Sequence, residues 1–170
     1  MAETTISPSD LAQLQTQQFR HDQRNHSDIA CLPKPDRLKH YGLHFAKYVG
    51  RLARGASEGM SIDRTVVDTA LICFSAANTL HQRLSECAPA SRKYDLQIDP
   101  MLPFADAAGR FADACEKIDH LEEFLPIART ANEDILQWTL SIASRRNLDL
   151  MAGIRDRRRQ LAERQFYIAD

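Results

Sequence analysis

The segment that follows Ser61 constrains this chain more than any other. Val66, Val67, Ala70, Leu71, Cys73, Phe74, Ala77 and Leu80 recur at helical spacing and spread over most of a helical surface. A helix with so little polar face has to lie inside a packed structure, with neighbours on several sides. Its apolar-rich run, Thr69 to Leu80, is interrupted by Ser75 and Asn78 and is too short to cross a bilayer. The pattern predicts a buried central helix from Ser61 to about Glu86. With 170 residues the chain is one domain in length, so the remaining segments must supply the cover.

Those segments have the amphipathic pattern that covering requires. Ser7-Pro8-Ser9-Asp10 reads as a helix start, with Ser7 as cap, Pro8 in the first turn and Asp10 returning the cap. That helix carries Leu11, Leu14 and Phe19 and fades near Asn25, after which His26 to Pro35 reads as a connector. A second helix is expected from Asp36 to Gly55, with Leu38, Tyr41, Phe45, Tyr48 or Val49, and Leu52 along one stripe. A fourth is expected from Pro103 to Leu125, a fifth from Pro126 to Asn147 and a last from Leu148 to Phe166, whose run Arg155 to Arg159 reads as a solvated face. Nothing alternates with period two for long enough to make a strand, and six Gly with seven Pro are too few for a turn-dense β protein. The expected fold is an all-α bundle of five or six helices forming a single domain. Its parts are an N-terminal helix and connector (1–35), a first hairpin (36–86), a loop (87–102), and a second hairpin with the C-terminal helix (103–166).

Charge removes some functions. Lys plus Arg is 22 and Asp plus Glu is 23, a formal net charge of −1, so nucleic acid is not an expected partner. Met1 to Thr5 has neither the basic nor the apolar part of a secretory leader, and Cys31, Cys73, Cys87 and Cys115 form no CxxC pair. A cytoplasmic protein with reduced thiols and no membrane association is expected. Two local charge patterns stand out. Arg37, His40, His44, Lys47, Arg51 and Arg54 make a basic stripe on the second helix, suited to phosphate capture by Lys47, Arg51 and Arg54. Asp113, Glu116, His120 and Glu123 share a face of the fourth helix, as a metal site with Asp134 or as a face solvated or paired with the basic stripe.

The stretch His44-Phe45-Ala46-Lys47-Tyr48-Val49-Gly50-Arg51-Leu52-Ala53-Arg54 resembles the metal-binding helix of MazG-like, all-α nucleoside triphosphate pyrophosphohydrolases. Val67 to Leu80 resembles the family's next helix, and Glu133 to Ala143, leading through Asn147-Leu148-Asp149-Leu150 into a basic helix, resembles its C-terminal part. The resemblance implies Mg²⁺-dependent cleavage of a (deoxy)nucleoside triphosphate to monophosphate and pyrophosphate by a homodimer. Carboxylates three residues apart on two packed helices converge on a hard cation, which clamps the phosphates and activates water. A dimer is also suggested by the apolar third helix, which one short neighbour would leave partly bare.

This chain departs from the family's acids. Tyr48 and Arg51 stand at the ExxE positions of the second helix, and on the third helix Asp68 is kept while Thr65 stands at its partner. In the second half Glu116 and Asp119 can stand for the ExxE pair and Asp134 for the ExxD aspartate, with Ala131 at its Glu and Glu133 adjacent. The resemblance thus nominates Glu116, Asp119, Glu133 and Asp134 as Mg²⁺ ligands, with Asp68 as a remnant. Arg51 and Asp68 are 17 residues apart and Asp119 and Asp134 are 15 apart, which suggests two related hairpins sharing one core. No catalytic nucleophile can be picked out. The other expectation is a catalytically inactive relative that binds a nucleotide, another phosphorylated small molecule or a protein partner through the basic helix face.

Overall fold

The computed structural model describes residues 6–87 and 99–164. The described residues form seven α-helices and no strand: α1 (Pro8–Asn25), α2 (Ser27–Ala30), α3 (Lys34–Arg54), α4 (Ile62–Thr79), α5 (Met101–Asp119), α6 (Leu125–Arg145) and α7 (Leu150–Glu163). The first, capped by Ser7 in a full capping box with Asp10, starts where the sequence places it. The helix beyond the expected six is α2, one turn inside the connector.

Helices α3, α4, α6 and α5 close a ring in that order, each packing on the next, and α1 and α7 lie against α4 from outside. The apolar helix is therefore covered by α1, α3, α6 and α7 of the same chain. The burial for which a second copy was one expected source is intramolecular. Val66, Ala70, Cys73, Ala76 and Ala77 on α4 are fully buried, and the small side chains let its neighbours approach closely. Elsewhere aromatic pairs fill the core: Phe45 meets Phe111 edge-on at 5.0 Å, and Phe104 stacks on Trp138 at 4.4 Å.

Two helices stop earlier than the hydrophobic period predicts. The third was expected to reach Glu86 and ends at Thr79; the fourth was expected to reach Leu125 and ends at Asp119. Both end in the same six-residue motif. After α4, His81 adopts φ 50°, its N–H donates to the Asn78 carbonyl, and the Gln82 N–H donates to the Ala77 carbonyl. After α5, Leu121 adopts φ 58°, with Leu121 N–H donating to the Ile118 carbonyl and Glu122 N–H to the Lys117 carbonyl. This is a Schellman turn, which glycine usually makes and which here is built without one, so the residue types gave no stop signal. At the other end, α5 starts at Met101 rather than Pro103, because Asp99 accepts from the Met101 N–H and Pro103 sits in a first turn that needs no N–H from it. The expected loop therefore ends at 100, and its residues 88–98 lie outside the described ones, as does Phe166.

Leu121 is 95% exposed, so its side chain gains nothing by packing while its backbone sits in the left-handed region. That conformation costs a non-glycine residue about 1–2 kcal/mol, part of which glycine returns as unfolded-state entropy. Leu121→Gly should therefore raise the stability of the protein by about 0.5–1 kcal/mol in urea unfolding. An unchanged or lower midpoint would show that the turn is unstrained.

Candidate functional site

Helix α3 buries Leu38, Tyr41, Phe45 and Tyr48 in the core, which fixes its rotation. The basic stripe one step around the helix then faces sideways, over the gap between the end of α1, α4 and α7. A cleft of about 690 Å³ fills that gap, and His40, His44, Lys47 and Arg51 of α3 line it together with Asp68 of α4 and Arg157 of α7. The volume suits a small organic ligand.

One carboxylate organises the cationic end. Asp68 receives Arg157 Nε at 2.8 Å, Arg64 Nε at 3.2 Å and Arg51 Nη1 at 3.5 Å. Three guanidiniums share one negative charge, and Lys47 adds a fourth cation that has no carboxylate partner among the described residues. Arg157 Nη1 is buried without a hydrogen-bond partner among those residues, which leaves a strong donor unsatisfied beside the cleft. The surplus of positive charge reaches the neighbouring groups. Burial, then Arg51, holds the Lys47 ammonium below its usual range. Burial, then Lys47 and His40, pushes His44 down to about 4, and burial followed by Lys47 lowers His40. Burial raises the Tyr48 phenol, which therefore stays protonated. Lys47 and Arg51 also lie over the Tyr48 ring, 5.1 and 5.4 Å from its centroid.

Towards α1 and α2 the cleft lining also carries acids, Asp22 and Asp28, beside Arg24. Asp22 accepts from Ser75 Oγ at 2.6 Å and Gln18 Nε2 at 2.8 Å. Burial raises its carboxyl above the ordinary range despite those bonds.

The residues expected to hold phosphate divide two to one. Lys47 and Arg51 meet at the cleft, whereas Arg54 turns to Glu58, 2.6 Å away, and is not part of the lining. Arg157, read from the sequence as solvated, is 12% exposed and joins Asp68 instead. Ile154, Arg157, Arg158 and Leu161 recur at helical spacing, a pattern that could have marked this face of α7 as inward. Arg158, on the same face, donates to Gln18, Gln17 and the Leu14 carbonyl and so ties α7 to α1.

The acids nominated for magnesium are not brought together. Asp134 pairs with Arg110 at 2.7 Å, and Arg110 precedes Asp119 by nine residues, about 13 Å along α5. Asp119 instead meets Lys39 of α3. Glu133, next to Asp134 but on another face of α6, accepts from Gln82 Nε2 at 2.9 Å. Glu116 is exposed and its neighbour is His120, at 3.5 Å. Asp68 lies in the arginine cluster. Among the described residues no three His, Cys, Asp or Glu side chains are placed to hold a metal ion, so the magnesium implied by the resemblance finds no donor set there. Among the described residues the basic stripe makes no ion pair with the acidic face of α5; the two helices are joined instead by Lys39, off the stripe, with Asp119.

No family model, curated protein or solved structure matches this chain.

Proposed function

We propose that this protein binds a small phosphorylated ligand, the phosphate being taken by Lys47, Arg51 and Arg157 in the cleft between α3, α4 and α7. The observation that carries the reading is the cationic cluster: three arginines on one Asp68, with a Lys47 that has no carboxylate partner and a buried Arg157 nitrogen that has no acceptor among the described residues. A phosphate supplies several acceptor oxygens and the negative charge that all of these groups lack. Arg51 holds Asp68 at the longest of the three distances and is the guanidinium that can turn to a ligand at least cost. Of the two activities that the MazG-like resemblance leaves open, this supports the ligand-binding relative. The scattered acids do not support the Mg²⁺-dependent pyrophosphohydrolase.

Inorganic phosphate and pyrophosphate are the direct probes. Both should raise the melting temperature, and Lys47→Gln with Arg51→Gln should weaken binding at least tenfold, since a hydrogen bond to a charged group contributes about 1.5–3 kcal/mol. No stabilisation by either anion up to about 10 mM would overturn the reading. Release of pyrophosphate from a nucleoside triphosphate with Mg²⁺ would restore the hydrolase in its place.

A further inference from the structure

Four side chains of α3 form a continuous hydrogen-bonded line along the rim of the cleft. Tyr48 Oη lies 3.1 Å from His44 Nδ1, Lys47 Nζ lies 3.0 Å from the same nitrogen, and His44 Nε2 lies 3.2 Å from His40 Nε2. An ammonium can only donate, so His44 Nδ1 is the acceptor, its one lone pair shared between Lys47 Nζ and the Tyr48 hydroxyl. The ring proton of His44 is then on Nε2 and donates to His40 Nε2, which leaves the His40 proton on Nδ1. The contacts are mutually consistent only when both imidazoles are neutral.

This line stores an acceptor behind the cation. Lys47 has no carboxylate among the described residues, and its ammonium rests on an imidazole nitrogen instead. We propose that an anion entering the cleft draws Lys47 off His44 Nδ1 and is bound together with one proton, which that nitrogen takes up from solvent and donates to Tyr48 Oη, whose hydroxyl turns from donor to acceptor. The inference rests on the phosphate reading and specifies its ligand as a dianion, because its two negative charges match Lys47 and a cationic His44, neither of which has a carboxylate partner among the described residues, while Arg51 shares Asp68.

The groups around the histidines fit that balance. Lys47, His40 and Arg51 on α3 oppose a proton on His44, while Asp68 on α4 favours it but is shared by three arginines, Arg157 of α7 among them. Asp28 favours a proton on His40, and His26 opposes it. From α1, Asp22 also lines the cleft, its carboxyl raised by burial. Without an anion the burial of His44 and the nearby Lys47 keep it neutral down to about pH 4. A dianion beside Lys47 weakens the positive field at the ring, so protonation and binding favour one another.

Sulfate is the probe for this test, because it stays dianionic from about pH 5 to 8 while phosphate titrates within that range. Sulfate affinity should rise up to tenfold per pH unit on acidification from about pH 7 to 5, the signature of one proton taken up per anion. Calorimetry in two buffers of different ionisation enthalpy should report that proton. In NMR the His44 ring, assigned with His44→Gln, should titrate near 4 without sulfate and well above 6 when saturated. His44→Gln should flatten the pH dependence of affinity. Sulfate binding that is flat with pH, or a slope that survives in His44→Gln, overturns the proton uptake and leaves the phosphate site standing. No binding of sulfate or phosphate at any pH overturns both.

Discussion

Asp68→Asn should lower the stability of this protein by about 3 kcal/mol and its melting temperature by roughly 10 °C. The substitution keeps the shape of the side chain and removes only its charge. Asp68 is 9% exposed at its side chain, and Arg51, Arg64 and Arg157 all donate to it from three helices. Without the carboxylate, three guanidiniums face one another in a half-dry space. The loss is that repulsion plus the unpaired buried donors, rather than the strength of any one ion pair. Because the defect is missing negative charge, phosphate or sulfate should recover more stability in Asp68→Asn than in the native protein. Thermal melts with and without each anion measure both effects. A variant as stable as the native protein would show that the arginines solvate themselves, and would weaken the case for an anion site beside them.

Trp138→Ala should cost about 4 kcal/mol, from a different source. Trp138 is 2% exposed, stacks on Phe104 at 4.4 Å and donates Nε1–H to the Pro100 carbonyl at 2.6 Å. Alanine removes the largest buried side chain between α5 and α6 and leaves both a cavity and an unpaired carbonyl at the start of α5. Trp138→Phe keeps a ring against Phe104 and loses the hydrogen bond, so it should cost about 1–2 kcal/mol. Urea unfolding of the two variants separates the terms. Equal losses would mean that the hydrogen bond carries the site and the stacking very little.

Much of the fold was legible in the residues. The helical period located six helices, and Ser7 with Asp10 marked the first start because a capping box depends on residues three apart in sequence. The breadth of the apolar surface after Ser61 identified α4 as central. The ends of α4 and α5 were not legible, because His81 and Leu121 occupy left-handed positions where sequence rules look for glycine. The site was half legible. Lys47 and Arg51 share a face with His40 and His44 by spacing alone, but Arg157 is 106 residues beyond Arg51 and meets it only when α7 packs on α4.

The acids show where sequence spacing misleads. Asp119 and Asp134 are 15 residues apart, close to the 17 between Arg51 and Asp68, yet α5 and α6 pack in a register that sets Asp134 beside Arg110. Spacing along a chain orders residues on one helix; it does not set the sliding of one helix along another, which side-chain packing decides. The sequence by itself determined that the chain is helical, which helix is innermost, and that one face of α3 is basic, since each follows from a local period or composition. Only the tertiary structure decided what those charges meet: three arginines on Asp68, and acids paired one by one rather than gathered. Electrostatic partners are set within a few ångströms, and at that distance the neighbours come from helices far apart in the chain.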